Sequence, residues 1–82
     1  MEPALHLIVN GVPRTLDGLA SPSPLTSVLE RLELRPDRVA VELNGEIAPR
    51  PQWPELSIQD GDRVEIVHFV GGGSRAGGSS QP

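Results

Sequence analysis

Two asparagine-glycine pairs, at 10–11 and 44–45, constrain the fold of this chain more than any other feature. Both residue types tolerate the positive φ angles of a type I′ turn, and each pair lies between short apolar runs, which is typical of a β-hairpin. The first pair predicts a hairpin with strands over residues 5–9 and 13–16. The second predicts another hairpin in the middle of the chain.

The segment between the hairpins has the pattern of a single amphipathic helix, predicted over residues 24–34. Ser23 is suited to be its N-cap, and Pro24 to the first helical position, where a missing N–H costs nothing. Pro36 disfavours helical geometry in the residue before it and is expected to end the element. Apolar residues at spacings i, i+3, i+4 and i+7 predict one buried stripe, formed by Leu25, Val28, Leu29 and Leu32.

The second half of the chain is predicted to form strands separated by a proline-rich loop. Residues 39–43 and 46–48 form the second hairpin, and three prolines exclude a central strand from residues 49–54, where a single helical turn is expected at most. A short apolar segment at 56–58 precedes the last strand, which is predicted over 63–70 and is the most β-prone segment of the chain.

This order of elements predicts an α+β fold in which one main helix packs across a mixed sheet of about five strands. The first and last strands are expected to pair in parallel at the centre, which is the β-grasp architecture. Residues 1–70 are predicted to form this domain. Residues 71–82 are predicted to form a flexible tail, because no large apolar side chain in them offsets the entropy of ordering.

Composition narrows the classes of function. A chain of 82 residues supports one domain with a small core, so a deep active site is not expected. The net charge of −4 argues against nucleic-acid binding, which needs a clustered basic face. The absence of cysteine excludes disulfides and thiolate metal sites. With no signal-peptide pattern and no membrane-spanning apolar run, the expected location is the cytoplasm.

No pattern of residues indicates catalysis or a metal site. His6 and His68 lie in predicted strands and are interpreted as edge or outward-facing residues. A metal-binding pair would require the two strands to be neighbours, and no carboxylate has ligand spacing. Asp60 and Asp62 flank a glycine in a pattern typical of a turn, too short for a calcium loop. The chain is therefore predicted not to be an enzyme.

Trp53 and Phe69 are the only aromatic residues. Trp53 is interpreted as a plug over one end of the core, with a partner-facing ring as the alternative. Phe69 lies one residue before the run of glycines, and two places stay open for it, the core or a docking surface.

The glycines at 71–73 follow the last strand without a spacer. Glycine-serine ends are typical of linkers, tag remnants and disordered termini, so their composition alone indicates no function. Their position favours another interpretation. Three extended residues reach about 10 Å, and an arm without Cβ atoms is thin enough to enter a narrow tunnel in another protein.

The stretch DGDRVEIVHFVGGG, residues 60–73, resembles the C-terminal signature of the ThiS family, the sulfur carrier proteins of thiamine biosynthesis. Earlier stretches agree in order: IVNG in the first hairpin, the striped helix, and VAVELNGEIAPR followed by QW. The resemblance covers residues 5–73 and implies a ubiquitin-like β-grasp fold.

The resemblance implies that the chain is a co-substrate that binds no permanent cofactor. A ThiF-like adenylating enzyme would use ATP to attach AMP to the carboxylate of Gly73. Sulfur from a desulfurase-type donor would displace AMP and leave a thiocarboxylate, which thiazole synthase or another sulfur acceptor would receive. Gly71 and Gly72 would form the thin arm, and Phe69 and Val70 would dock to the partner enzymes.

The chain departs from the family pattern in one respect, because residues 74–82 follow the glycines. While they remain, Gly73 has no free carboxylate, so a peptidase is expected to remove them. Gly78 is a second candidate for the mature end. Gly73 is favoured because five further flexible residues would separate Gly78 from the docking strand.

Two rival functions stay open. A related carrier would serve molybdopterin, cysteine or a sulfur-containing secondary metabolite by the same chemistry, and gene neighbourhood would distinguish it. A β-grasp binding module with an inert tail would tolerate bulky residues at Gly72 and Gly73, whereas a carrier would lose activation.

Overall fold

A computed structural model describes residues 2–69 of the chain, which form a mixed sheet crossed by one helix. Two short 3₁₀ helices, Pro36–Arg38 and Arg50–Glu55, connect the strands of the second half. In chain order, the strands and the helix are β1 (Ala4–Val9), β2 (Val12–Asp17), β3 (Ser23–Pro24), α1 (Leu25–Arg31), β4 (Val39–Leu43), β5 (Glu46–Ile47), β6 (Ser57–Ile58) and β7 (Arg63–His68).

The main sheet has five strands in the order β2-β1-β7-β4-β5. Strands β1 and β7 are parallel neighbours at its centre, and every other pairing in it is antiparallel. Strands β3 and β6 form a separate two-stranded pair. The α+β class, the β-grasp arrangement and the parallel pairing of the first and last strands are therefore confirmed.

Both predicted hairpins turn at the asparagine-glycine pairs. Asn10 and Gly11 have φ angles of 49° and 80°, and Asn44 and Gly45 have φ angles of 52° and 87°. Positive values at both central positions are those of a type I′ turn, the turn whose twist matches the twist of the flanking strands. The turn residues thus fix the register of both hairpins.

The core lies between α1 and one face of the sheet. Alternate residues of each long strand point towards the helix, as the two-residue period of a strand requires. The helix contributes three of its four predicted stripe residues as fully buried side chains, and Leu32 is partly buried against them. The core side chains are Leu5, Leu7, Val9, Leu16, Leu25, Val28, Leu29, Val39, Val41, Ala48, Trp53, Ile58, Val64 and Ile66.

The prediction that Ser23 caps the helix is wrong. The side chain of Ser23 is buried, its hydroxyl donates to the carbonyl of Ala20 at 2.6 Å, and its backbone pairs with Ile58 in the two-stranded sheet. The N–H of Leu25, at the start of α1, donates instead to the carbonyl of Leu56 at 2.9 Å. A backbone carbonyl from a distant segment therefore takes the role that sequence assigned to the serine.

The helix also ends earlier than the predicted residue 34. Glu33 has a φ of 62°, and its N–H donates to the carbonyl of Glu30 at 2.9 Å, while the N–H of Leu34 donates to the carbonyl of Leu29 at 3.0 Å. These two bonds are a Schellman motif, which usually has glycine at the position of Glu33. The left-handed residue turns the chain out of the helix before Pro36 is reached.

The last strand is held by a side chain as well as by its neighbours. Strand β1 reaches only as far as Val64 along β7. Beyond that point the side-chain amide of Asn10 takes over, because its oxygen accepts from the N–H of Ile66 at 2.6 Å and its nitrogen donates to the carbonyl of Ile66 at 3.2 Å. Asn10 therefore extends β1 by one pairing position and fixes the part of β7 that leads to the C-terminal residues.

Within residues 2–69, no helix is long and apolar enough to cross a bilayer.

Replacing Glu33 with glycine is expected to stabilise the protein. A non-glycine residue in the left-handed region costs roughly 1 kcal/mol, which glycine avoids. We expect Glu33→Gly to raise the free energy of unfolding in urea by about 0.5–1 kcal/mol. The control Glu30→Gly, in the body of α1, should lower it by about 1 kcal/mol. If both variants lose stability, the motif does not strain the chain at Glu33.

Replacing Asn10 with glycine is expected to weaken the hold on β7. Glycine keeps the positive φ of the turn but leaves the N–H and carbonyl of Ile66 without their partner, so we expect a loss of about 1–2 kcal/mol in the free energy of unfolding. The amide of Ile66 should also exchange with solvent faster. The matched variant Asn44→Gly removes bonds at exposed positions and should cost less than about 1 kcal/mol. Equal losses in the two variants would contradict this role for Asn10.

Candidate functional site

The end of β7 provides a firm base for the residues that follow it. His68 is paired with Val39 of β4, and the N–H of Phe69 donates to the carbonyl of Arg38 at 2.8 Å. The backbone is thus hydrogen-bonded to a neighbouring segment as far as Phe69. Four of the predicted site residues, Val70, Gly71, Gly72 and Gly73, lie outside the described residues.

Apolar side chains are exposed on the sheet face turned away from α1, from this strand end across β4 to β5. Val67 is 61% exposed, Phe69 is 50% exposed and Ile47 is 78% exposed. Ala40 is also exposed and lies directly opposite Val67 in the register of β4 and β7. The two-residue period of the strand places Phe69 on the same face as Val67. We call these four residues, Ala40, Ile47, Val67 and Phe69, the terminal patch.

The exposure of Phe69 excludes the core, one of the two places that its sequence position left open, because a half-exposed ring is not a core residue. Its place in a docking surface stays a prediction. The other members of the terminal patch carried a weaker signal. Val67 follows Ile66 directly, so β7 has apolar residues on both of its faces near its end. Strands with one solvated face usually alternate apolar and polar residues. The consecutive apolar residues of β7 break this alternation, and that break was the sequence signal for an exposed apolar surface.

A shallow groove of about 300 Å³ lies next to the terminal patch. Ile47, Val67 and Ala40 line it, together with Glu42 and Glu65. The terminal patch therefore borders an acidic region on the same face of the sheet.

Trp53 forms part of the wall of this groove but is itself 3% exposed. Its indole N–H donates to the carbonyl of Ala48 at 2.7 Å, and the guanidinium carbon of Arg50 lies 5.1 Å from the ring centroid. The interpretation of Trp53 as a plug over the core is confirmed. The 3₁₀ helix Arg50–Glu55 presents this ring to the core, and its six residues make about two turns, where a single turn at most was expected.

His6 and His68 do not form a pair, although β1 and β7 are neighbours. Ile8 is opposite Arg63 in the parallel register, which sets His68 roughly 20 Å further along the sheet than His6. The Nδ1 atom of His6 is 3.2 Å from the hydroxyl of Thr15 on β2. Among residues 2–69, no three histidine, aspartate or glutamate side chains are grouped as a metal site would require.

Asp60 and Asp62 organise a turn, as their spacing around Gly61 predicted. A carboxylate oxygen of Asp60 accepts from the N–H of His6 at 2.8 Å. The carboxylate of Asp62 accepts from the N–H of Gln59 at 2.8 Å and from the side-chain amide of Asn44 at 3.2 Å. Both aspartates therefore hold the loop that leads into β7, and their oxygens accept from backbone N–H groups and from the side chain of Asn44.

The comparisons with known proteins agree with this architecture. The sequence profile of the ThiS family matches residues 7–73. A crystal structure of the thiamine biosynthesis protein ThiS from Geobacter metallireducens superposes with a TM-score of 0.72 at 41% identity, covering 84% of this chain and 100% of that one.

Sequence relatives extend the comparison to two kinds of protein. The sulfur carrier protein ThiS of Thermus thermophilus is 38% identical over 65 residues, which are 79% of this chain and 95% of that protein. The thiazole synthase of Paramagnetospirillum magneticum is 36% identical over 70 residues, which are 85% of this chain. The chain spans about a fifth of the length of that relative and of a second thiazole synthase, from Magnetococcus marinus.

The family profile covers most of the chain, the Geobacter structure is matched along its whole length, and the fold has the strand order and parallel centre described above. The chain therefore belongs to the ThiS family of sulfur carrier proteins.

Proposed function

We propose that this protein carries sulfur as a thiocarboxylate on Gly73 and delivers it for thiazole formation in thiamine biosynthesis. The observation that carries the proposal is the position of the terminal patch. Exposed apolar side chains lie at the end of a hydrogen-bonded strand, and the family match continues from that strand to Gly73. A docking surface beside the start of a glycine arm suits a protein that presents its C-terminus to an enzyme.

The chemistry requires little of the carrier except its terminus. A carboxylate oxygen of Gly73 attacks the α-phosphorus of ATP, and pyrophosphate leaves. A sulfur nucleophile such as hydrosulfide then attacks the activated carbonyl carbon and displaces AMP, which leaves the thiocarboxylate. ATP belongs to the ThiF-like adenylating enzyme and not to this chain. The carrier has no side chain at residues 71–73 to obstruct either attack.

Residues 74–82 must be removed before the first step, because Gly73 otherwise contributes an amide and not a carboxylate. Two observations support an end at Gly73. The family match stops there, and the Geobacter ThiS chain is covered completely by 84% of this chain. We therefore include a peptidase that cleaves after Gly73 among the partners, and the same reasoning disfavours an end at Gly78.

The receiving enzyme proposed here is a thiazole synthase. Two relatives bear that name and are matched over about a fifth of their length, so a domain like this chain occurs within proteins named for thiazole formation. Sulfur carriers named ThiS are further relatives. This makes thiazole formation the favoured pathway over the related carrier functions.

The proposal is tested by activating two forms of the chain. Residues 1–73 should form an acyl-adenylate with ATP and the ThiF-like enzyme of the same organism, because Gly73 then ends in a carboxylate. Residues 1–82 should not. After addition of sulfide, the intact mass of the short form should rise by the difference between a sulfur and an oxygen atom.

A third form, residues 1–78, controls for the choice of terminus. If it is activated as well as the short form, the arm length has been assigned wrongly. If no form is activated under conditions that charge a known ThiS, the carrier function itself is contradicted.

The terminal patch is tested by shortening Val67 to alanine in the 1–73 form. We expect the KM of the adenylating enzyme for the carrier to rise about three- to tenfold, because an apolar contact is lost at the docking surface. The control Val12→Ala changes a valine that is 55% exposed on β2, away from the terminal patch, and should leave KM unchanged. Equal KM values for the two variants would show that docking uses another surface. Both variants should keep the wild-type stability within about 0.5 kcal/mol.

A further inference from the structure

Two glutamates face each other across neighbouring strands beside the terminal patch. Glu42 of β4 lies directly opposite Glu65 of β7 in the antiparallel register. Both are exposed, while the residues next to them, Val41 and Ile66, are buried, so both carboxylates lie on the face turned away from α1. Like charges directly opposite each other on adjacent strands destabilise a sheet.

Within residues 2–69, no ion pair joins an arginine to either glutamate. The ion pairs in that part of the chain join Asp37 to Arg35 and Arg38. Arg50 lines the same groove, but its guanidinium donates to the carbonyl of Val39 at 3.0 Å and lies over the ring of Trp53. Arg50 is therefore engaged with the edge of β4. Arg63 is exposed on the same face of β7, two residues before Glu65, but no ion pair within residues 2–69 joins it to either glutamate.

The pair is continuous with the terminal patch. Ile47 is opposite Glu42 in the register of β4 and β5, and Val67 follows Glu65 by two residues on the same face of β7. All four side chains line one groove. A partner that covers the terminal patch would consequently cover both carboxylates and remove them from water, which is costly unless the partner supplies a positive charge.

We propose that Glu42 and Glu65 together receive an arginine side chain of the protein that docks on the terminal patch. A guanidinium has five N–H donors in a planar fork, so it is able to bind two carboxylates at once, and its flat apolar faces suit a site bordered by Ile47 and Val67. Binding would also relieve the repulsion that the pair imposes on the unbound sheet. Local violations of folding rules are expected at such functional positions.

This inference rests on the proposed function, in which the docking partner is the adenylating enzyme. The charge pair then acts in choosing the partner, because a surface without a basic residue at this place would leave two carboxylates buried and unpaired. The terminal patch provides contact area, and the two glutamates discriminate between partners with and without a basic residue at this place.

The test compares two double variants in the 1–73 form, which lacks Arg75, the only basic residue of the segment 74–82. Glu42→Gln/Glu65→Gln removes the charges from the groove. The control Glu30→Gln/Glu55→Gln removes two exposed charges from α1 and the second 3₁₀ helix, so the net charge is matched. The measured quantities are the KM of the ThiF-like enzyme for each carrier at low and high salt, and each carrier's Tm.

We expect the groove variant to raise KM about tenfold at low salt and the control to change it less than about twofold. The difference should shrink at high salt, because screening weakens the lost attraction. The groove variant should melt about 1–4 °C above the wild type, because the repulsion between the strands is gone.

Three results would overturn the inference. Equal KM values for the groove variant and the control would remove the role of the charges. A raised KM together with a lowered Tm would assign the pair a structural role. If the wild-type 1–73 form is not adenylated, the proposed function fails and this inference fails with it. Adenylation of the wild type with an unchanged groove variant contradicts only the inference.

Discussion

The short parallel contact between β1 and β7 is the constraint on which the arrangement of the site depends. Only Ile8 and Val9 pair with β7, opposite Arg63 and Val64. Beyond them, β7 keeps β4 on one side, and the other side is held by the amide of Asn10. A strand held on both sides as far as Ile66 and then along β4 to Phe69 gives the C-terminal residues a defined starting point. The terminal patch exists because that strand has apolar residues on its second face.

The two faces of the main sheet differ in how they affect the stability of the domain. The side facing α1 carries the buried apolar core, which satisfies the folding of a small domain. The other side exposes Val67 and Phe69 and sets Glu42 against Glu65, choices that lower the stability of an isolated domain. Such features are explained when the face spends part of its time covered by another protein. In the proposed function, the face turned towards α1 serves folding and the opposite face serves binding.

Much of the fold was predictable because its signals are local. The asparagine-glycine pairs determine their own backbone angles, and the apolar stripe of α1 follows from helical periodicity. Two errors lie at the ends of the helix, one where a distant segment competes with a local preference and one in a local turn. Ser23 has a side chain suited to an N-cap, but the N–H of Leu25 at the start of the helix donates to the carbonyl of Leu56 instead. Glu33 ends the helix in the left-handed conformation that glycine usually adopts. No residue near it in the sequence predicts this conformation.

The site was predictable only in part, for a related reason. The sequence position of Phe69 beside the glycines left the core and a docking surface open, and the structure shows the ring half-exposed. The pairing of Glu42 with Glu65 and the alignment of Ala40 with Val67 depend on the register between β4 and β7, which are separated by about twenty residues of chain. The hydrogen bonds between the side chain of Asn10 and the backbone of Ile66 were also not predicted, because the turn alone explains an asparagine at this position. Register and side-chain bonding are properties of the assembled sheet.

The hydrogen bond from Phe69 to Arg38 gives the protein a fixed length scale. Gly73 lies four positions after Phe69, and four residues fully extended span at most about 14 Å. In the proposed function, an enzyme seated on the terminal patch would hold its reactive phosphorus or acceptor carbon within this radius. The fold would thus limit the distance between the docking surface and the reacting atom. Enzymes with otherwise unrelated active sites would share this distance between docking surface and active site.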